Sequence, residues 1–188
     1  MDLDHNRLLE LRRIRDEADC LADVPTVEAA LNRMAAEITA RLAHTDPLVC
    51  TIMNGGLILA GQLLPRLDFP LELAYLHASR YGKHTQGREI AWRVSPPENL
   101  AGRMVLVLDD VLDEGHTLAA VLERLRASGA QEALSAVLVH KNHERKAIVG
   151  MRADFTGLEL ENRFLFGYGM DYRGYWRNAP GIFAVKGL

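Results

Sequence analysis

Five short apolar runs, Leu48 to Met53, Leu71 to His77, Met104 to Leu108, Ala133 to Val139 and Phe164 to Phe166, constrain the fold more than any other feature of the chain. Several are almost free of polar residues, the pattern of strands covered on both faces. Between them lie stretches of helical spacing: Leu57 to Leu64 follows Gly55-Gly56, and Thr117 to Ala127 precedes Gly129, a natural helix stop. Strand alternating with helix predicts an α/β fold with a mainly parallel central sheet flanked by helices. Its ligands are then expected beyond the carboxyl ends of the strands.

The N-terminal part reads as helical. Val27, Ala30, Leu31, Met34, Ile38 and Leu42 recur at helical spacing, predicting a helix from Thr26 to Leu42 with Thr26 as its cap. A second, more charged pattern surrounds Leu8, Leu11 and Ile14, over residues 7 to 15. No repeat, low-complexity segment or Pro/Gly/Ser-rich linker divides the 188 residues, so one domain is expected over 1–188. The segment from Arg80 to Gly102 is polar, contains Gly82, Gly87 and Pro96-Pro97, and is long for a connection. The stretch from Arg80 to about Pro97 is therefore expected to be a mobile lid.

Charge and composition remove several partners. Lys plus Arg number 22 against 25 acidic residues, and a net charge of −3 gives no reason to expect nucleic acid. No apolar run approaches the ~20 residues of a membrane helix. The start Met1-Asp2-Leu3-Asp4-His5 lacks a basic region followed by an apolar stretch, and Cys20 and Cys50 are the only cysteines. A cytoplasmic setting is expected, with both cysteines as buried hydrophobes. His140 and His143 could be drawn as a metal pair, but no further ligand spacing supports zinc.

The most informative stretch runs from Met104 to Leu118, reading Met-Val-Leu-Val-Leu-Asp-Asp-Val-Leu-Asp-Glu-Gly-His-Thr-Leu. An apolar strand leads into the acids Asp109 and Asp110, then a tight loop, then a helix. Gly115 accepts left-handed dihedrals, so loop N–H groups can converge on an anion while the helix near Thr117 adds its positive dipole end. The Thr117 hydroxyl supplies one more donor, and protonated His116 would add charge. Two adjacent acids at a strand end can accept from a sugar diol or serve magnesium. Acids after an apolar strand also occur in receiver domains, but there the pair stands near the domain start, whereas here most of the chain precedes it.

This stretch resembles the phosphoribosyl pyrophosphate motif of type I phosphoribosyltransferases: apolar strand, two acids, two apolar residues, then Asp-x-Gly-x-Thr. Met53-Asn54-Gly55-Gly56, Arg80-Tyr81, Val139-His140-Lys141, and the run from Arg163 to Tyr172 with Arg177 beyond narrow the likeness to the hypoxanthine-guanine phosphoribosyltransferases. The resemblance implies the type I phosphoribosyltransferase fold with a small hood, to which the helical segment of about 1–43 would contribute. It implies purine salvage: magnesium-dependent transfer of the 5-phosphoribosyl group from phosphoribosyl pyrophosphate to hypoxanthine or guanine. A homo-oligomer, dimer or tetramer, is expected. A xanthine-preferring transferase and a non-catalytic nucleotide sensor on the same fold are the competing readings.

Roles follow from the resemblance residue by residue. Asp113 would be the catalytic acid/base. Asp109 and Asp110 would hold the ribose hydroxyls and magnesium, with Asp171 at a second magnesium position in the purine pocket. Glu114, Gly115, His116 and Thr117 would bind the 5-phosphate. Asn54, Gly55, Arg80, Tyr81 and Arg177 would bind pyrophosphate, with a non-proline cis peptide between Met53 and Asn54. Lys141, having donors and no acceptor, would read the exocyclic oxygen of a 6-oxopurine. Phe164 would stack on the base, and the Leu165 backbone would pair with its edge; Phe166 is assigned to the core. In the lid, Tyr81 would cover the leaving group, and Lys83 and Arg88 would bring charge near it. The chain departs from the family in carrying Asn54 where a basic residue is common, Arg80 where Ser precedes the loop Tyr, and Glu114 and His116 where Thr and Lys are common. Arg80 is expected to supply the charge that Asn54 lacks.

Overall fold

A computed structural model describes residues 2–80 and 90–187. The chain forms α1 (Asp2–Glu17), β1 (Asp19–Ala22), α2 (Val24–Leu42), β2 (Leu48–Ile52), α3 (Gly56–Leu63), a 3-10 turn (Leu64–Arg66), β3 (Glu72–Arg80), β4 (Ile90–Val94), β5 (Met104–Leu112), α4 (His116–Ala127), β6 (Glu132–Asn142), β7 (Phe155–Glu161), β8 (Leu165–Phe166) and β9 (Ile182–Ala184). Six strands form the main sheet in the order β4-β3-β2-β5-β6-β7, parallel except for β4 at one edge. β1, β9 and β8 form a small antiparallel sheet. This is the α/β arrangement, a mainly parallel sheet flanked by helices, that the sequence predicts.

The central strands are apolar because both faces are covered. Along β5, Leu106 and Leu108 join the core beneath α2 and α3, while Val105 and Val107 join Leu118, Val121 and Leu125 of α4 on the other face. Alternation in a strand sends successive side chains to opposite faces, and here each face meets a helix. In α2 a stripe of Val27, Leu31, Met34, Ile38 and Leu42 is buried. Cutting back one such leucine costs about 2–5 kcal/mol. The helix starts earlier than predicted: Asp23 is the cap, its carboxylate accepting from the Thr26 backbone N–H at 3.0 Å, with Pro25 in the first turn. Thr26 is thus inside the helix.

The N-terminal segment divides between two cores. Leu11 of α1 packs with Phe166, Tyr172, Ala179, Phe183 and Val185 around the small sheet, which β1 joins. α2 packs on the main sheet, because its apolar stripe matches that surface. Of residues 1–43, α1 and β1 thus pack with the small sheet and α2 with the main sheet. Phe166 is fully buried, as assigned. Cys50 is buried in β2, whereas Cys20 is exposed in the edge strand β1, correcting its assignment to the core.

Part of the expected lid is a strand: Ile90–Val94 pairs antiparallel with the end of β3, from Arg80↔Ile90 to His77↔Val94. Tyr81, Lys83 and Arg88 lie outside the described residues, as does the side chain of Arg80. Among the described residues no helix is long and apolar enough to cross a membrane.

The topology fixes where a ligand can enter. From β2 the chain moves outward to β3 in one direction, and from β5 outward to β6 and β7 in the other, so the order reverses between β2 and β5. Pairing between these strands stops at Thr51↔Leu108, while β5 continues against β6 to Leu112↔His140. Asp109 and Asp110 stand where β5 has outrun β2, at the switch point where open α/β sheets bind ligands.

Candidate active site

A cleft of about 430 Å³ opens there. The loop after β2 lines one side with Asn54 and Gly55, and the peptide bond between Met53 and Asn54 is cis. β5 and its loop supply Asp109, Asp110, Asp113, Glu114, Gly115, His116 and Thr117; β6 supplies Lys141; the segment around β8 supplies Phe164, Leu165, Asp171 and Arg177. All but two of the site residues predicted from sequence line this one cleft. The exceptions are Arg80, whose backbone closes β3, and Tyr81, outside the described residues. Ile52, Val111, Leu118 and Met170 also line it and carry no sequence signal beyond apolarity.

The loop after β5 is built to expose backbone. Gly115 has φ +83°, and a side chain there would meet Leu112 at 2.7 Å and the Met151 sulfur at 2.8 Å. α4 begins at once with His116, so its first N–H groups open onto the cleft rim beside Thr117. The Glu114 carboxylate lies 3.6 Å from His116 Nε2.

Acidic groups crowd the floor. Burial, and then the charge of Asp110, push the Asp109 carboxyl well above its ordinary value. Asp110 is also raised, by burial first, against the opposing pull of the Arg177 guanidinium. Asp109 Oδ1 accepts from the Asp110 backbone N–H at 3.0 Å. Arg177 spans this floor, 2.5 Å from Asp171 and 3.8 Å from Asp110, and donates to the Gly169 carbonyl. Asp171 also accepts from the Gly174 N–H at 2.6 Å. Asp110 and Asp171 thus meet on one guanidinium with Asp109 adjacent in the chain, carboxylate oxygens of the kind magnesium accepts.

Asp113 is set apart from that group. Lys141 Nζ donates to its Oδ2 at 2.9 Å, and His143 Nε2 stands 2.7 Å from its Oδ1. Burial pushes the carboxyl up, but the bonds from Lys141 and His143 outweigh it, and the group lies below its ordinary value. Its side chain is 44% exposed, against 11% for Lys141. Phe164 is 43% exposed and meets Tyr172 at a steep angle, with ring centroids 5.7 Å apart. Leu165 beside it is buried.

Two residues that sequence reading did not place hold the site from behind. His143 touches Asp113, and His140 is buried elsewhere with Nδ1 unpartnered. Among the described residues no group of three metal-ligating side chains is assembled. Lys146 Nζ donates to the carbonyls of Leu112 at 3.3 Å, Asp113 at 2.6 Å and Lys141 at 2.8 Å. A lysine tying three carbonyls leaves no pattern in sequence, since two of its partners, Leu112 and Asp113, belong to backbone remote in the chain.

Comparison with known proteins gives a consistent set of relatives. Residues 17–173 match the family model described as phosphoribosyl transferase domain. The chain is 30% identical over 161 residues to hypoxanthine-guanine phosphoribosyltransferase of Bacillus subtilis, covering 85% of this chain and 88% of that one. It is 29% identical over 160 residues to hypoxanthine-guanine-xanthine phosphoribosyltransferase of Tritrichomonas foetus, covering 85% and 87%. Among solved structures, a hypoxanthine phosphoribosyltransferase from Staphylococcus aureus superposes with a TM-score of 0.80 at 26% identity, over 89% of this chain and 91% of that one.

Proposed function

The chain belongs to the hypoxanthine-guanine phosphoribosyltransferases, and on that premise we propose that it is a cytoplasmic salvage enzyme converting hypoxanthine, guanine or both into IMP or GMP with release of pyrophosphate. The observation that carries this reading is the placement of Asp113 and Lys141, 2.9 Å apart, in the cleft that also holds the Gly115 loop. An acid/base, a donor for a purine oxygen and a phosphate cradle are what the reaction needs in one place.

In the forward direction purine N9 forms a bond to the anomeric carbon, and the bond from that carbon to pyrophosphate oxygen breaks, its electron pair leaving with pyrophosphate. The proton on N7 passes to Asp113, whose depressed pKa keeps it a carboxylate ready to accept. In reverse Asp113 returns that proton. Lys141 donates to the exocyclic oxygen of the base, Phe164 stacks on its face, and the Leu165 backbone pairs with its edge. The backbone N–H groups of Glu114 to Thr117 and the Thr117 hydroxyl hold the 5-phosphate, aided by the start of α4. Asn54, Gly55, Arg80, Tyr81 and Arg177 receive pyrophosphate.

Asp109, Asp110 and Asp171 would hold magnesium, and the convergence of Asp110 and Asp171 on one guanidinium supports this, because groups that share one cation can share another. A site short of a full protein cage suits magnesium, which keeps waters and substrate oxygens as ligands. Bound there, it would neutralise charge developing on the departing pyrophosphate. Leu73 and Tyr75, exposed on one face of β3, support a homo-oligomer.

The test is product formation from phosphoribosyl pyrophosphate with each of hypoxanthine, guanine, xanthine and adenine, with magnesium and with a chelator. Turnover of hypoxanthine or guanine that the chelator abolishes is expected. Preference for xanthine would change the substrate assignment, and turnover of none of the bases would overturn the reading.

A further inference from the structure

We propose that His143 is a positioning residue for Asp113, holding the carboxylate through a neutral imidazole whose Nε2–H is fixed by the fold; this rests on Asp113 being the acid/base. The ring is pinned at both nitrogens. The Arg145 backbone N–H donates to His143 Nδ1 at 3.1 Å, so Nδ1 must carry a lone pair, and the ring proton sits on Nε2. That nitrogen stands 2.7 Å from Asp113 Oδ1. Donation to the carboxylate therefore needs no positive charge on the ring.

The two oxygens of Asp113 have different surroundings. Oδ1 faces His143, whose side chain is 8% exposed and does not line the cleft. Oδ2 faces Lys141, which does. Once Lys141 donates to a bound base its hold on Asp113 is shared, and His143 remains as the carboxylate's undivided anchor. Oδ2 is then the oxygen left to exchange a proton with the purine. The same short segment fixes the backbone: His143 N–H donates to the Lys141 carbonyl at 3.1 Å, Lys146 ties the carbonyls of Asp113 and Lys141, and Ala147 N–H donates to the Glu114 carbonyl at 2.7 Å. Residues 141–147 thus brace the loop that carries the acid/base, with His143 as the only side chain of the brace outside the cleft that reaches its carboxylate.

Misplacing a proton acceptor slows the chemical step far more than it weakens binding at the separate phosphate loop. In His143→Ala, kcat is expected to fall about tenfold to a hundredfold, while KM for phosphoribosyl pyrophosphate stays within about twofold. His143→Gln, whose side-chain amide can donate from a similar position, is expected to recover most of kcat. In an Asp113→Asn background, His143→Ala is expected to add no further loss, because the pathway through the carboxylate is already gone. Thermal midpoints of all variants separate a loosened loop from a misdirected carboxylate, and if the alanine variant does not fold, His143→Leu takes its place. Unchanged kcat in the folded variant, equal loss in His143→Gln, or additive losses with Asp113→Asn would overturn the proposal. Ring nitrogen shifts of His143 in the unmodified protein read the tautomer without any turnover. A proton on Nδ1 would overturn the proposal even if the enzyme is active, and failure of all bases to react would instead overturn the functional reading.

Discussion

Arg177 stands between two carboxylates of the cleft floor, 2.5 Å from Asp171 and 3.8 Å from Asp110. It is only one-third exposed, and Asp110 is nearly buried, so the attraction is weakly screened. Removing the guanidinium leaves two converging negative groups with no counter-charge. Arg177→Met is expected to lower stability by about 1–3 kcal/mol without added cation, and to raise KM for phosphoribosyl pyrophosphate. Urea unfolding with and without magnesium checks this: magnesium should stabilise the variant more than the parent, and equal stabilisation of both would contradict the pairing.

Asp113→Asn keeps the shape of the side chain and the Lys141 and His143 neighbours but cannot take a proton. Nucleotide formation is expected to fall by about two to four orders of magnitude. Binding of phosphoribosyl pyrophosphate, measured calorimetrically, should persist, because the proposed phosphate cradle at Gly115 and Thr117 does not depend on that carboxylate. Near-parental turnover would remove Asp113 from the mechanism.

Lys141 has three donors and no acceptor, and it is nearly buried at the end of β6. Adenine presents an amino group where hypoxanthine presents an oxygen, leaving donors face to face. The parent is expected to favour hypoxanthine over adenine by about a hundredfold or more in kcat/KM, and Lys141→Ala should shrink that ratio. Comparable use of both bases by the parent would show that Lys141 does not read the base.

Gly169 has φ +107°, and a side chain there would run into the Gly55 carbonyl oxygen and approach Asp110. Neither neighbour can yield easily, one being backbone and the other at the cleft floor. Gly169→Ala is expected to cost about 1–3 kcal/mol from the left-handed conformation alone, and to weaken pyrophosphate binding by displacing the Asn54–Gly55 loop. A thermal midpoint and KM equal to those of the parent would refute this.

What could be read from sequence depended on how local its physical cause is. β2, β5 and β6 announce themselves because both their faces are covered, and the loop around Gly115 because its anion chemistry is contiguous. β1 and β9 are four and three residues long and gain their pairing from segments far apart in the chain, as in Cys20↔Phe183, so no window of sequence contains their signal, whereas β8 falls within the apolar run Phe164 to Phe166. β4, Ile-Ala-Trp-Arg-Val, is hidden because its five residues lie inside the otherwise polar segment from Arg80 to Gly102. Asp23 took the cap from Thr26 because Val24 and Pro25 already adopt the helix. His143 and Lys146 were illegible for a different reason: each acts on atoms of the Asp113 loop about thirty positions away, and only the parallel pairing of β5 with β6 brings those positions together.

That pairing also buries His140, which stands opposite Leu112 at the end of β5, the residue before Asp113. Burial, and then the charges of Lys146 and Arg152, hold its imidazole below the ordinary value of 6.5 in the folded chain. In the unfolded chain the ring takes up a proton as pH falls through about 6.5, whereas the folded chain resists it until lower pH. The unfolded state then binds more protons, so His140 costs stability as pH falls below that point and costs none above it. The slope is at most about 1.4 kcal/mol per pH unit. His140→Leu removes this contribution while leaving every other acid-titrating group in both proteins. The unfolding free energy of the variant relative to the parent is expected to be constant from pH 8 to about pH 7 and to rise steadily between about pH 6.5 and pH 5.5. Urea unfolding at half-unit steps measures it, and a difference that stays flat across the whole range would show that His140 is protonated as readily in the fold as in the open chain.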